Sequence, residues 1–396
     1  MIRTASQAFH ALGFFWARQC ALADSEPYSV DDLPSLDASE EEKNMGWRRW
    51  AAKEIQQRAL LGHYLVDGLI SRMSGEIPSV RHAANQLSLP STEVVFEARN
   101  ADEWLSVMHS QERNLTQYSF RKITNSLFNH QPAGHVPSMP GNLSAFSLRV
   151  ILEGLQSLVS DCDSDDVALV GVPSKFELRR ALAQIYEKIS ASPRISEPER
   201  LENFLRWHTI CLDACKDSSL LCRSVCFRYG VTQNVCPGRD TNKPELDLVS
   251  WANTEDARRA LLHAVAIQEI VEQLPRGRAH VIHIPSSLFA SATVYCVFSL
   301  AGLTTVNLPS SVDWQSVLSS GYESVPIIGN SDSSCASETR RYIRGELSSL
   351  FGSVGTAGNL LYELNSMQKL FRCLSSQWGI AYDMEDIIDQ WMSLCH

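Results

Sequence analysis

Long uninterrupted apolar runs are missing from this chain. No stretch approaches the 18 to 20 residues that a helix needs to cross a bilayer, which argues against a membrane span. Positive charge is also in short supply. The formal net charge is −10 and the pI about 5.6. Affinity for nucleic acid rests largely on Lys and Arg contacts to phosphates, so this balance excludes a chain that binds DNA by charge alone. Phosphate-loop, dinucleotide and nucleophile-elbow fingerprints are absent, and so is any repeat of 20 to 50 residues. Strand-like alternation is scarce. The eleven cysteines are an odd number without a secretory leader, so reduced intracellular thiols are expected.

What remains is ordinary globular composition: 44% apolar, 20% charged, with 20 Gly and 16 Pro in 396 residues. Apolar residues recur with helical spacing through most of the chain. The expected fold is all-α, an irregular multi-helix bundle. It is read as one helical domain, 1–396, whose N-terminal portion covers residues 1–160 and whose C-terminal portion covers residues 161–396.

Residues 3–23 read as an amphipathic first helix, and 24–44, rich in Asp, Glu, Ser and Pro, as a solvated linker. A long helix follows over 45–72. Within it Trp50, Glu54 and Arg58 stand four apart, so they stack along one side. Ser174 with Glu177 and Ser196 with Glu199 mark capping boxes, and Asn253 marks a further helix start. A buried helix is expected after Pro285, a loop over 304–334, and helices at about 337–350, 357–378 and 384–394.

Several clusters invite a chemical reading, and each has a plainer one. Cys211, Cys215, Cys222 and Cys226 fall at offsets 0, 4, 11 and 15, along one face of a single helix. A straight helix of about 22 Å cannot converge them on one ion, so they read as core. Asp161, Asp163, Asp165 and Asp166 suggest a calcium loop. However, its sixth position is Asp166 rather than Gly and its twelfth is Val172 rather than Glu. His280 and His283 lack an acidic neighbour. The glycine-rich 352–358 reads as an interhelical turn, and Arg258-Arg259 and Arg340-Arg341 as surface charge. No catalytic, cofactor-binding or metal-binding residue is therefore assigned.

The densest stretch runs from Trp47 to Trp104. It reads Trp47-x-x-Trp50-x-x-x-Glu54-x-x-x-Arg58, then Asp67, then Leu89-Pro90-Ser91-x-Glu93-x-x-Phe96-x-Ala98, ending in Glu103-Trp104. This pattern resembles the fungal-specific transcription factor domain, also called the middle homology region. Ala59, Leu61 and Phe96 depart from that family's usual residues. The run from Leu262-His263-Ala264 to Phe289 resembles the branch that accompanies two-cysteine, two-histidine zinc fingers. The resemblance implies an all-helical regulator of RNA polymerase II transcription in a fungal nucleus, without enzymatic activity. It implies contacts with other transcription proteins, a homodimer, and DNA reached only indirectly or through an N-terminal zinc module missing from this chain. Zinc is expected only in that module. The signature residues are Trp47, Trp50, Glu54, Arg58, Asp67, Pro90, Glu93 and Trp104, expected to act in packing and ion pairing. The competing readings are a structural or dimerisation module and an enzyme on a helical scaffold.

Overall fold

The computed structural model describes residues 11–17, 19–20, 22, 28–74, 78–80, 87–111, 119–128, 143–162, 172–236, 246–319, 334–346 and 356–395. They are overwhelmingly helical, so the all-α expectation holds. The chain divides into two compact units. The first comprises 1–72, 77–157 and 191–195, and the second 73–76, 158–190 and 196–396.

The first unit is organised by α1, Glu40–Ser74. Ser39 and Glu42 form a capping box at its start, with Ser39 N–H donating to Glu42 Oε2 at 2.9 Å and Glu42 N–H to Ser39 Oγ at 3.3 Å. Three acidic residues in its first turn suit the helix dipole. The short α2 (Glu93–Phe96), α3 (Ala101–Gln111), α4 (Phe120–Phe128) and α5 (Ala145–Cys162) follow. Gly68 allows α1 to approach α5, because a Cβ there would overlap the Glu153 carboxylate. Tyr64 packs edge-on against Phe120, at 5.8 Å between ring centres.

The second unit holds α6 (Lys175–Ala191), α7 (Glu197–Cys215), α8 (Ser218–Tyr229), α9 (Leu248–Ala252), α10 (Glu255–Gln273), α11 (Ile284–Leu300), α12 (Trp314–Leu318), α13 (Ser334–Arg344), α14 (Leu360–Leu374) and α15 (Ile380–Leu394). Helix α11 is apolar on every side, and residues 287–299 are all buried. Phe289 stacks on Trp391 of α15 at 5.4 Å and meets Phe371 of α14 edge-on at 6.4 Å. Ser291 Oγ donates to the Ala264 carbonyl at 2.6 Å, tying α11 to α10. The capping boxes at Ser174 and Ser196 form as expected.

Four local expectations are corrected. Segment 24–44 is more than a linker: it delivers the buried Tyr28 to Trp104, at 6.1 Å, and its last residues already belong to α1. Thr254, not Asn253, caps α10, because its Oγ1 accepts from Ala257 N–H. Thr305–Leu308 (β1) pairs antiparallel with Thr356–Asn359 (β2), where a loop and a turn were expected. Four residues of alternation are too few to stand out in a helical chain, and Thr-Ala-Gly-Asn carries little strand propensity. Arg259 is buried rather than surface charge. It bonds Glu255, Asp256 and the Val317 carbonyl, fastening α10 to α12. Asp163, Asp165 and Asp166, the glycines 352 and 355 and residues 129–142 lie outside the described residues.

Candidate functional site

The signature residues gather mainly at one place in the first unit. Arg58 Nε donates to Glu54 Oε1 at 2.8 Å, its Nη1 to Glu93 Oε2 at 3.1 Å, and its Nη2 to the Ser91 carbonyl at 2.9 Å. Ser91 returns two bonds to Glu54, from N–H to Oε1 and from Oγ to Oε2, both at 3.0 Å. The guanidinium carbon lies 3.8 Å from the centre of the Phe96 ring. Glu54 is 4% exposed, so its charge is acceptable only because both oxygens are occupied. Helical spacing places Glu54 and Arg58 one turn apart. The buried Pro90, with no N–H to satisfy, precedes the residue that closes the knot. The result ties α2 and the segment before it to α1.

One turn earlier, Trp50 meets Trp104 of α3 at 5.8 Å between ring centres. Both are buried, with Val95, Leu105 and Met108 around them and Trp47 packed against the cluster. Asp67 is buried but stands apart from the knot, where it accepts from Val80 N–H at 3.1 Å. The sequence pattern names Ser91 without giving it a role and does not mark Tyr28. A Ser after Pro and two before Glu is nevertheless a turn signal. Tyr28 carried no signal at all.

The second unit holds a cluster of which the quoted sequence runs name only His263. His208 of α7 and His263 of α10 face each other, with their Nδ1 atoms 3.0 Å apart. Trp314 stacks on His263 at 4.9 Å and meets His208 edge-on at 4.5 Å, and Trp207 packs on both. Burial pushes His208 down to about 3, and burial followed by the neighbouring His208 holds His263 well below its usual value. Both rings are therefore neutral, one donating to the other. His263 Nε2 is buried without a partner. Placing the proton on His263 Nδ1 leaves only a lone pair there, the cheaper of the two tautomers. Two histidines 55 residues apart have no diagnostic spacing, which is why the sequence does not reveal their pairing.

The cysteine helix is also corrected. Cys211 and Cys215 end α7; Lys216 is extended, and Asp217 caps α8 by accepting from Ser219 N–H at 2.9 Å. The four thiols therefore span two helices, and the straight-helix argument against convergence does not apply. Cys222 instead lies in hydrogen-bond contact with Cys226 and Cys236, which raises its own pKa and lowers theirs. Burial drives Cys215 up to about 12 and Cys211 well above its usual value, leaving both as unreactive thiols. No disulfide joins any of the eleven cysteines. Among the described residues, no group of three or more His, Cys, Asp or Glu side chains is arranged to hold a metal ion, and no helix is long and apolar enough to cross a membrane.

Geometry and fold thus define a multi-helix α protein with a motif-built polar knot and a neutral buried histidine pair. No family model, curated protein or solved structure matches the chain.

Proposed function

We propose that this chain is a regulatory domain of a fungal nuclear protein that controls RNA polymerase II transcription through contacts with other transcription proteins, without catalysis of its own. The reading rests on the resemblance of the Trp47–Trp104 pattern. The observation that carries it is the knot: residues 54, 58 and 93, which the pattern spaces 4 and 35 apart, satisfy one another in space. The net charge of −10 fits a chain that reaches DNA through a partner or through a zinc module outside these 396 residues.

The test is a reporter assay in a fungal host, with the full chain fused to a heterologous DNA-binding domain. Transcription is expected to change relative to the DNA-binding domain alone. Arg58→Met is expected to abolish that change together with the melting transition of the first unit. A reporter indifferent to the intact, folded fusion refutes the proposal.

A further inference from the structure

The thiols of the second unit are not scattered. Cys222 of α8 touches Cys226 and Cys236, and Cys296 of α11 touches Cys395, the residue that caps the end of α15. All three members of the first group are buried. Cys222 and Cys226 also stand one turn apart on a single helix, where Cβ atoms are about 5–6 Å apart, further than the roughly 3.5–4.5 Å that a disulfide spans. The second pair differs on both counts. Cys395 is half-exposed while Cys296 is fully enclosed, and the two come from different elements.

Helix α15 packs on α11 at two levels. Trp391 stacks on Phe289 at 5.4 Å. Cys395 lies one turn beyond Trp391 and Cys296 two turns beyond Phe289, so the thiols mark a second contact further along the same two helices. Cys395 N–H donates to the Met392 carbonyl at 3.1 Å, a bond of the last turn, and Ser393 and Leu394 beside it are exposed. Helix ends fray, so that last turn can shift and shorten a contact between sulfurs to a bond of about 2.05 Å. Cys296 stays fixed in the core. The two thiols are also unequal. Cys296 donates its S–H to Cys395, which lowers the Cys395 pKa more than partial burial raises it. Burial first, and then that bond, hold the Cys296 pKa well above its ordinary value. The reachable sulfur therefore has the greater thiolate character, and thiolate is the form that reacts with peroxide.

We infer that Cys395 is a site of hydroperoxide oxidation and that Cys296 resolves it, forming a reversible disulfide that fastens α15 to α11. In the first step the Cys395 sulfur attacks one peroxide oxygen. The O–O bond breaks, Cys395 becomes a sulfenic acid, and the other oxygen leaves as water, or as an alcohol from an organic hydroperoxide. In the second step the Cys296 sulfur attacks the sulfenic sulfur. The S–O bond breaks, the hydroxyl leaves with the Cys296 proton as water, and the S–S bond forms. The two thiols have lost two electrons and two protons, and the peroxide has gained them. A dithiol reductant reverses the change by thiol–disulfide exchange. Closing a loop of about 100 residues restricts the unfolded chain, so the oxidised form is the more stable one. This site does not depend on the transcriptional reading.

The test is peroxide treatment of the full, reduced chain, followed by blocking of free thiols and digestion with trypsin and chymotrypsin. Mass spectrometry is expected to find Cys296 joined to Cys395, in a protein that stays at 44.2 kDa on non-reducing electrophoresis. Dithiothreitol should remove the link. The melting midpoint of the oxidised chain should rise, and return on reduction. Cys395→Ser, a change at a half-exposed position, should fold as wild type, form no such link and show no rise. Cys296→Ala should leave Cys395 as a sulfenic acid that dimedone traps. The exposed Cys20 and Cys373 report that the oxidant was active. Their oxidation with Cys395 still reduced overturns the site. Cys395 linked to a different cysteine, or to a second chain, overturns the pairing, and a sulfinic acid at Cys395 without a link overturns the resolving role of Cys296. A link formed with no change in melting overturns the fastening of α15.

Discussion

Trp50 shows how much one residue carries in the first unit. It is 3% exposed and lies between α1 and Trp104, which is fully enclosed. Truncation to Ala removes the contact and leaves a cavity that the surrounding helices cannot close. Trp50→Ala is expected to destabilise the first unit by about 3 to 5 kcal/mol. Urea denaturation followed by circular dichroism measures this, and an unchanged midpoint refutes the burial. Glu54 and Arg58 work differently. An exposed pair of this spacing contributes a few tenths of a kcal/mol, whereas removing one partner of a buried pair costs several. With Glu54 4% exposed and Ser91 closing its second oxygen, the buried case applies. The spacing of these residues was legible in the chain. The role of Ser91 was not, because the bond that matters spans 37 residues.

At the scale of elements, long helices with strong periodicity and caps could be read directly. The capping boxes of α6 and α7 and the all-round apolar α11 fall where the residues place them, and α1 runs through the expected 45–72 but begins five residues earlier, at Glu40. What could not be read depends on tertiary neighbours. The break at Lys216 and Asp217 interrupts apolar spacing that reads as continuous, and only packing decides it. The β1–β2 ribbon joins two segments far apart in the chain, so neither strand announces itself. The His208–His263 contact joins α7 to α10 and carries a pH signature. Both rings have pKa values below the unfolded reference of about 6.5. Above that pH neither state is protonated and the contact is fully present. As pH falls below it, the unfolded chain takes up protons first, so stability falls towards the folded value of about 3 for His208. The slope is about 1.4 kcal/mol per pH unit for each ring. Urea midpoints taken between about pH 7.5 and 5 avoid most carboxylate titration. They are expected to fall on acidification, and less so in the double variant His208→Phe with His263→Phe. An equal slope in both proteins refutes the neutral pair.

Among the described residues each compact unit has its own main apolar core, with a smaller cluster of Leu262, Val317, Tyr342 and Ile343 in the second. The first unit is centred on Trp50 and Trp104, the second on α11 with Phe289, Phe371 and Trp391. The chain alternates between them, with 73–76 and 191–195 belonging to the unit other than the one their neighbours build, so no single cut separates them. A chain with two cores has no reason to melt as one cooperative block, and two-state behaviour is the habit of smaller single domains. Scanning calorimetry is expected to give a calorimetric enthalpy larger than the van't Hoff enthalpy. Trp50→Ala should shift only one component, and Phe289→Ala, which removes the ring stacked on Trp391, should shift only the other. Coincident enthalpies, or one transition moved alike by both substitutions, would show that the two cores unfold together and that the units are not separate cooperative blocks.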